Sequence, residues 1–163
     1  MQSGKMLVAD HQGTYVVKLV GDVRLTLCNT IDDYLDYMFT REDFQSVIID
    51  VSDVDGIDST SLGLLAKFAI QAKKRLYNKP TIISPNLNIT RLLESMGFHK
   101  VFHLCDKLVS DAAGLRELAL KPSDEECVRC KVLEAHRCLM DMSESNKDKF
   151  SDLVTALEAA KTD

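Results

Sequence analysis

Apolar positions along the first two thirds of the chain switch repeatedly between a period of two and a period near 3.6, which predicts strands alternating with helices. Met6 to Ala9 and Tyr15 to Val20 read as strands, with His11-Gln12-Gly13 as the turn between them. Gly21-Asp22-Val23-Arg24 reads as a loop. Ile31, Tyr34, Leu35 and Met38 then repeat at helical spacing, with Thr30 as the expected N-cap. Ser46 to Val51 is a compact β-branched run suited to a strand buried on both faces. The polar stretch Asp53 to Ser61 reads as a loop that opens a long helix, lined on one side by Leu62, Leu65, Ala66, Ala69, Ile70 and Leu76 and stopped by Asn78-Lys79-Pro80. Leu64 and Phe68, four apart on a flank of that helix, are expected in the core; exposed, they would form an apolar contact beside Ser59. Thr81 to Ser84 follows as a strand, Asn88 to Met96 as a short helix ended by Gly97, Val101 to Leu104 as a last strand and Lys107 to Ala119 as a further helix.

Pro122 marks a boundary. Ser123 with Glu126 three residues later forms a capping box, so a new helix is expected from there to about Met142. After a break at Ser143 to Asn146, Phe150, Leu153, Val154 and Leu157 mark a second amphipathic helix. The expected organisation is therefore an α/β domain over residues 1–120 with a C-terminal helical hairpin over 121–163.

Composition adds exclusions. With 45% hydrophobic and 28% charged residues in 163, a folded globule is expected and wholesale disorder is not. Net charge is −5, and the densest basic run, Lys73-Lys74-Arg75, sits late in a helix where cations suit the dipole, so direct nucleic-acid binding is not expected. No apolar run reaches the roughly 20 residues that span a bilayer, and the first residues lack the apolar core of a signal peptide. A cytoplasmic protein with no membrane partner follows, its five cysteines present as thiols.

Ser59 stands where a loop becomes a helix. One reading is a plain N-cap serine. The other uses the same geometry: unpaired N–H groups and partial positive charge let a phosphate sit at a helix start. That phosphate would bring roughly −1.5 to −2 charges beside Asp53, Asp55 and Asp58, enough to reject a partner by repulsion and desolvation. Asp58 itself suits a loop-bracing Asx-type hydrogen bond.

The segments Val47-Ile48-Ile49-Asp50-Val51-Ser52 and Val54-Asp55-Gly56-Ile57-Asp58-Ser59-Thr60-Ser61-Leu62-Gly63-Leu64 resemble the signature of the STAS domain of anti-sigma factor antagonists: a hydrophobic strand ending in Asp-Leu-Ser, an apolar residue, then Asp-Ser-Ser/Thr-Gly-Leu-Gly. Ile83-Ser84-Pro85-Asn86, the run Thr90 to Phe98 and the pair Gly21-Asp22 are similar to that family too, and the likeness covers roughly residues 5–118 in order. It implies a STAS-like mixed sheet with helices packed on it. It also implies that Ser59 is the phosphate acceptor and that the chain is a partner-switching regulator of a sigma factor pathway, not an enzyme. Such a regulator binds an anti-sigma factor or serine kinase when unphosphorylated and releases it when phosphorylated. A metal-dependent protein phosphatase restores the bound state. The expected contact surface gathers Asp22, Arg24, Asp58, Ser59, Thr60, Ser61 and Leu62. The chain departs from the family in having Ser61 where glycine is usual, and Thr60 and Ser61 stand as alternative acceptors. A non-switching scaffold or ligand-sensing STAS module is the alternative.

No other motif supports chemistry of its own. There is no Gly-rich phosphate loop and no Gly-x-Ser-x-Gly elbow, so His99 and His103 read as surface histidines. Cys127, Cys130, His136 and Cys138 invite a metal site or, at Cys127 and Cys130, a redox pair. At about 100° per residue the three cysteines share a stripe while His136 points nearly opposite, so no metal and no cofactor are expected, and the thiols read as small packing residues.

Overall fold

The computed structural model describes residues 3–76, 78–107, 114–122 and 124–160. Two strands, β1 (Lys5–His11) and β2 (Thr14–Val23), form an antiparallel hairpin whose turn residues Gln12 and Gly13 both take positive φ, 54° and 93°. A Cβ on Gly13 would collide with the Asp43 carbonyl, so glycine is required there. From β2 the chain passes through a 3-10 turn (Leu25–Leu27) into α1 (Cys28–Thr40), then into β3 (Ser46–Ile57), parallel to β2. Helix α2 (Ser59–Leu76) leads to β4 (Thr81–Ile83), and α3 (Leu87–Ser95) leads to β5 (His103–Cys105), each new strand parallel to the last. A two-residue strand, β6 (Arg116–Glu117), closes the other edge against β1, giving the order β5-β4-β3-β2-β1-β6. The parallel pairs demand helical crossovers, and the runs at helical spacing between the strands supply those helices.

One core joins sheet and helices. Met6, Val8, Val17, Leu19 and Ile49 from the strands meet Ile31, Leu35 and Met38 from α1 and Leu62, Leu65 and Ala69 from α2. Leu64 and Phe68 are each 1% exposed and belong to this core, so they offer no contact to solvent.

The last two helices, α4 (Glu125–Met142) and α5 (Glu144–Ala160), form the expected hairpin. Its α4 packs along α2, and Ala135 and Leu139 enter the main core. Asn146, fully buried at the corner, donates to the carbonyls of Met96 and Leu139, both at 2.8 Å.

Several element boundaries differ from the sequence reading. Gly21, Asp22 and Val23 continue β2 instead of forming a loop, because β3 itself runs on to Ile57 and pairs with them across two register shifts. Thr30 lies inside α1, where its hydroxyl donates to the Ala119 carbonyl and accepts from the Lys121 N–H. The last core strand begins two residues later than the Val101 to Leu104 run and ends one residue later. Of the helix expected over Lys107 to Ala119, residues 108–113 lie outside the described residues, and Arg116–Glu117 is a strand because the free edge of β1 pairs with it. Ser123 of the expected capping box is also outside the described residues; Asp124 caps α4, its carboxylate accepting from the Cys127 N–H at 2.7 Å.

Candidate functional site

The parallel register of β2 and β3 places Asp22 opposite Gly56 and Val23 opposite Ile57, so the ends of both strands and the start of α2 converge. The Asp58 N–H donates to the Val23 carbonyl at 3.0 Å, tying the junction. Gly56 leaves room for Asp22: a Cβ there would lie 3.2 Å from its Oδ1. Asp22 in turn accepts from the Arg24 Nε through both carboxylate oxygens, each at 3.0 Å. Asp22, Arg24, Asp58 and Ser59 thus share one end of the sheet.

The cap of α2 is Asp58, not Ser59. Its Oδ1 accepts from the Ser61 N–H at 2.8 Å and its carbonyl accepts from the Leu62 N–H at 3.1 Å. Ser59 is the first helical residue, which frees its hydroxyl from capping duty. That hydroxyl is bonded instead to the Nε2 of His136 on α4, at 2.7 Å. The Nδ1 of the same ring lies 2.7 Å from the Val132 carbonyl, an acceptor only, so Nδ1 carries a proton; in the neutral ring Nε2 then accepts from Ser59. His136 is 1% exposed and meets the Phe150 ring edge-on at 5.0 Å between centroids.

Thr60, Ser61 and Leu62 do not form the open contact surface expected of them. They are 4%, 0% and 1% exposed, because they turn into the core and under α4. Among the described residues the Ser61 hydroxyl has no hydrogen-bond partner.

One turn further along α2, Gly63 faces Ala135 of α4. A Cβ on Gly63 would overlap the Ala135 carbonyl and methyl, so the two helices touch almost backbone to backbone. The next turn carries charge. Lys67 bridges Glu134 of α4 and Asp32 of α1, the latter at 3.1 Å, and Lys131 of α4 also binds Asp32. Burial alone would push the Asp32 carboxyl up, but the two lysines outweigh it and hold it below the usual carboxylate range. Burial alone would likewise lower Lys67, yet Glu134 and Asp32 raise it well above the usual amine range.

The sequence reading missed this half of the site. It placed His136 opposite the cysteine stripe but did not connect it with Ser59. The available signal was a histidine flanked by the core-facing Ala135 and Leu139. Cys130 is exposed and Cys127 and Cys138 are half-buried. Among the described residues no three His, Cys, Asp or Glu side chains gather as ligands for a metal ion. His99 and His103 are exposed, and Lys73, Lys74 and Arg75 form a solvated face. No described helix is long and apolar enough to cross a membrane.

The fold has solved counterparts. An anti-sigma factor antagonist from Mycobacterium paratuberculosis superposes with a TM-score of 0.57 at 23% identity, over 65% of this chain and 88% of that one. The anti-sigma factor antagonist SpoIIAA in its unphosphorylated form gives 0.52 at 13% identity, covering 64% and 89%. The Bacillus cell fate determinant SpoIIAA in the phosphorylated form gives 0.51 at 13%, covering 63% and 92%. Comparison with curated protein sequences finds no match. The family model for the STAS domain matches residues 5–111, all six strands but β6 and the junction at Ser59 included, and the chain belongs to the STAS domain family.

Proposed function

We propose that this chain is a partner-switching regulator. It binds an anti-sigma factor or switch kinase while Ser59 is unphosphorylated and releases it once Ser59 carries phosphate; a metal-dependent protein phosphatase resets it. The observation that carries this reading is the position of Ser59: the first residue of α2, directly after a capping aspartate, at the meeting point of two strand ends. Its hydroxyl is not needed to cap the helix, so modification leaves the cap in place. A phosphate would bring roughly −1.5 to −2 charges to an end that already holds Asp22, Asp55 and Asp58, and a partner shaped for the neutral form would meet unpaired charge. The likeness to SpoIIAA, solved in both phosphorylation states, supports the same reading. The chain supplies the acceptor; kinase and phosphatase supply the base, the metal and the nucleotide. We place it in the cytoplasm, acting by binding and not by catalysis.

The test is affinity capture with Ser59→Ala as bait, then titration of the captured partner against Ser59→Ala, Ser59→Asp and phosphoserine-59 protein. Binding is expected to fall about 100-fold from alanine to phosphate, equivalent to about 2.7 kcal/mol. Equal affinity of all three forms would sink the reading. One observation favours the alternative of a non-switching scaffold: His136 covers Ser59. A scaffold would show no phosphate on Ser59 under any growth condition.

A further inference from the structure

We propose that the α4–α5 hairpin is an intramolecular occupant of the Ser59 face of α2, and that phosphate on Ser59 evicts it. The inference rests on the reading of Ser59 as the acceptor.

Three observations carry it. First, the hydroxyl of half-buried Ser59 is already engaged. The Ser59 Oγ and the His136 Nε2 are 2.7 Å apart, and the ring is held by the Val132 carbonyl on one side and by Phe150 on another. In the transfer, the bond from the γ-phosphorus of a nucleoside triphosphate to its bridging oxygen breaks and an Oγ–P bond forms; the nucleoside diphosphate leaves and the hydroxyl proton passes to the base of the kinase. A phosphorus and three oxygens then replace the hydroxyl proton, and the bond that this proton makes to His136 is lost.

Second, the interface cannot yield by a small adjustment. At Gly63 and Ala135 the two helices already touch backbone to methyl, one turn from Ser59. Close-packed surfaces of this kind shift as bodies, not by gradual deformation. With the backbones locked there, His136 moves away from Ser59 most readily when α4 moves from α2 as a body.

Third, the hairpin is built to leave as a unit. Its two helices hold each other through Arg137 with Glu158 at 2.7 Å and Arg129 with the Ala160 carbonyl at 3.1 Å. Its fastening to the rest of the molecule combines Ala135 and Leu139 in the core and the Asn146 bond to the Met96 carbonyl with a charged bridge of Asp32, Lys67, Lys131 and Glu134. Ion pairs at such an interface exchange for water at small net cost, because hydration returns what the pair loses.

The experiment is hydrogen exchange by mass spectrometry on the full chain, without any partner. Three proteins are compared: the wild type, Ala135→Leu, and protein with phosphoserine placed at position 59 during translation. A leucine at 135 has no space against Gly63, so it opens the hairpin sterically with Ser59 untouched. Peptides covering 59–67 and 125–142 are expected to exchange about tenfold faster or more in both altered proteins, while β2 and β3 keep wild-type protection. If Ala135→Leu also loses sheet protection, the phosphoserine protein alone decides. Wild-type or slower exchange in the phosphoserine protein would show that the closed hairpin accommodates the phosphate, and the proposal falls. Failure here is separate from failure of the switch reading, which is decided by partner affinity for the three Ser59 forms.

Discussion

Helix α2 has two working sides, and they are made differently. Leu62, Leu65, Ala69 and Ala72 follow one another at intervals of three and four; all are buried, and the side is wholly apolar. Ser59, Gly63 and Lys67 form the other side at intervals of four, and it offers a hydroxyl, a bare backbone and a cation to α4. The first side can be satisfied only by a permanent core. The second can be satisfied by α4 or by water, since each of its polar groups has a solvated alternative. A surface that must exchange partners needs that second kind of chemistry, and Ser59 stands on it.

Mutations on the two sides should therefore separate global from local stability. Leu65→Ala is expected to have the largest effect. It removes a fully buried side chain from the core and should cost about 2–5 kcal/mol, read in denaturant melts as loss of the whole molecule's stability. A small effect there would mean that the sheet-facing side is as loose as the other.

Asp32→Ala comes next. It leaves Lys131 without its carboxylate and Lys67 with Glu134 alone, in a largely buried site, and should cost about 3 kcal/mol, seen chiefly as faster hydrogen exchange in α4 and less in β3. The same pairing predicts the pH dependence. The folded carboxyl lies below its unfolded value, so its contribution is complete above about pH 4 and is lost as pH falls through the lower folded value. Lys67 is raised, so its contribution is complete below about pH 10 and fades only as pH climbs through the higher folded value. Hairpin protection measured against pH should show the acid loss in the wild type and not in Asp32→Ala.

Truncation after Leu120 should leave a cooperatively unfolding domain, since residues 121–163 are expected to be dispensable for the sheet. A molten product would place Ala135 and Leu139 among the indispensable core residues. Asp58→Ala removes the cap of α2 and should cost about 1 kcal/mol in thermal melts. Ser59→Ala should cost least, about 0.5–1.5 kcal/mol, because it removes only the bond to His136. A loss from Ser59→Ala well above that range would mean that its hydroxyl does more than bind His136.

The alternation of strand and helix, the hairpin of the last two helices and the position of Ser59 at a helix start were all legible in the chain, because periodicity, glycine, proline and capping chemistry act within a few residues. Local reasoning failed where distant segments took over. The segments Gly21 to Val23 and Asp53 to Ile57 look like loops, each being short and polar with a glycine. They become strand because each supplies the other's hydrogen bonds in parallel register. Arg116–Glu117 became strand for the same reason, at the open edge of β1.

The sequence by itself determined which residues could carry the chemistry: an aspartate and a serine opening a long helix, with acidic neighbours and no catalytic motif. Only the tertiary structure decided what the serine touches. Ser59 and His136 lie 77 positions apart in the chain, and no local pattern encodes a contact over that separation. It arises because Gly63 and Ala135 are both small enough to let two helices approach until a hydroxyl and an imidazole meet.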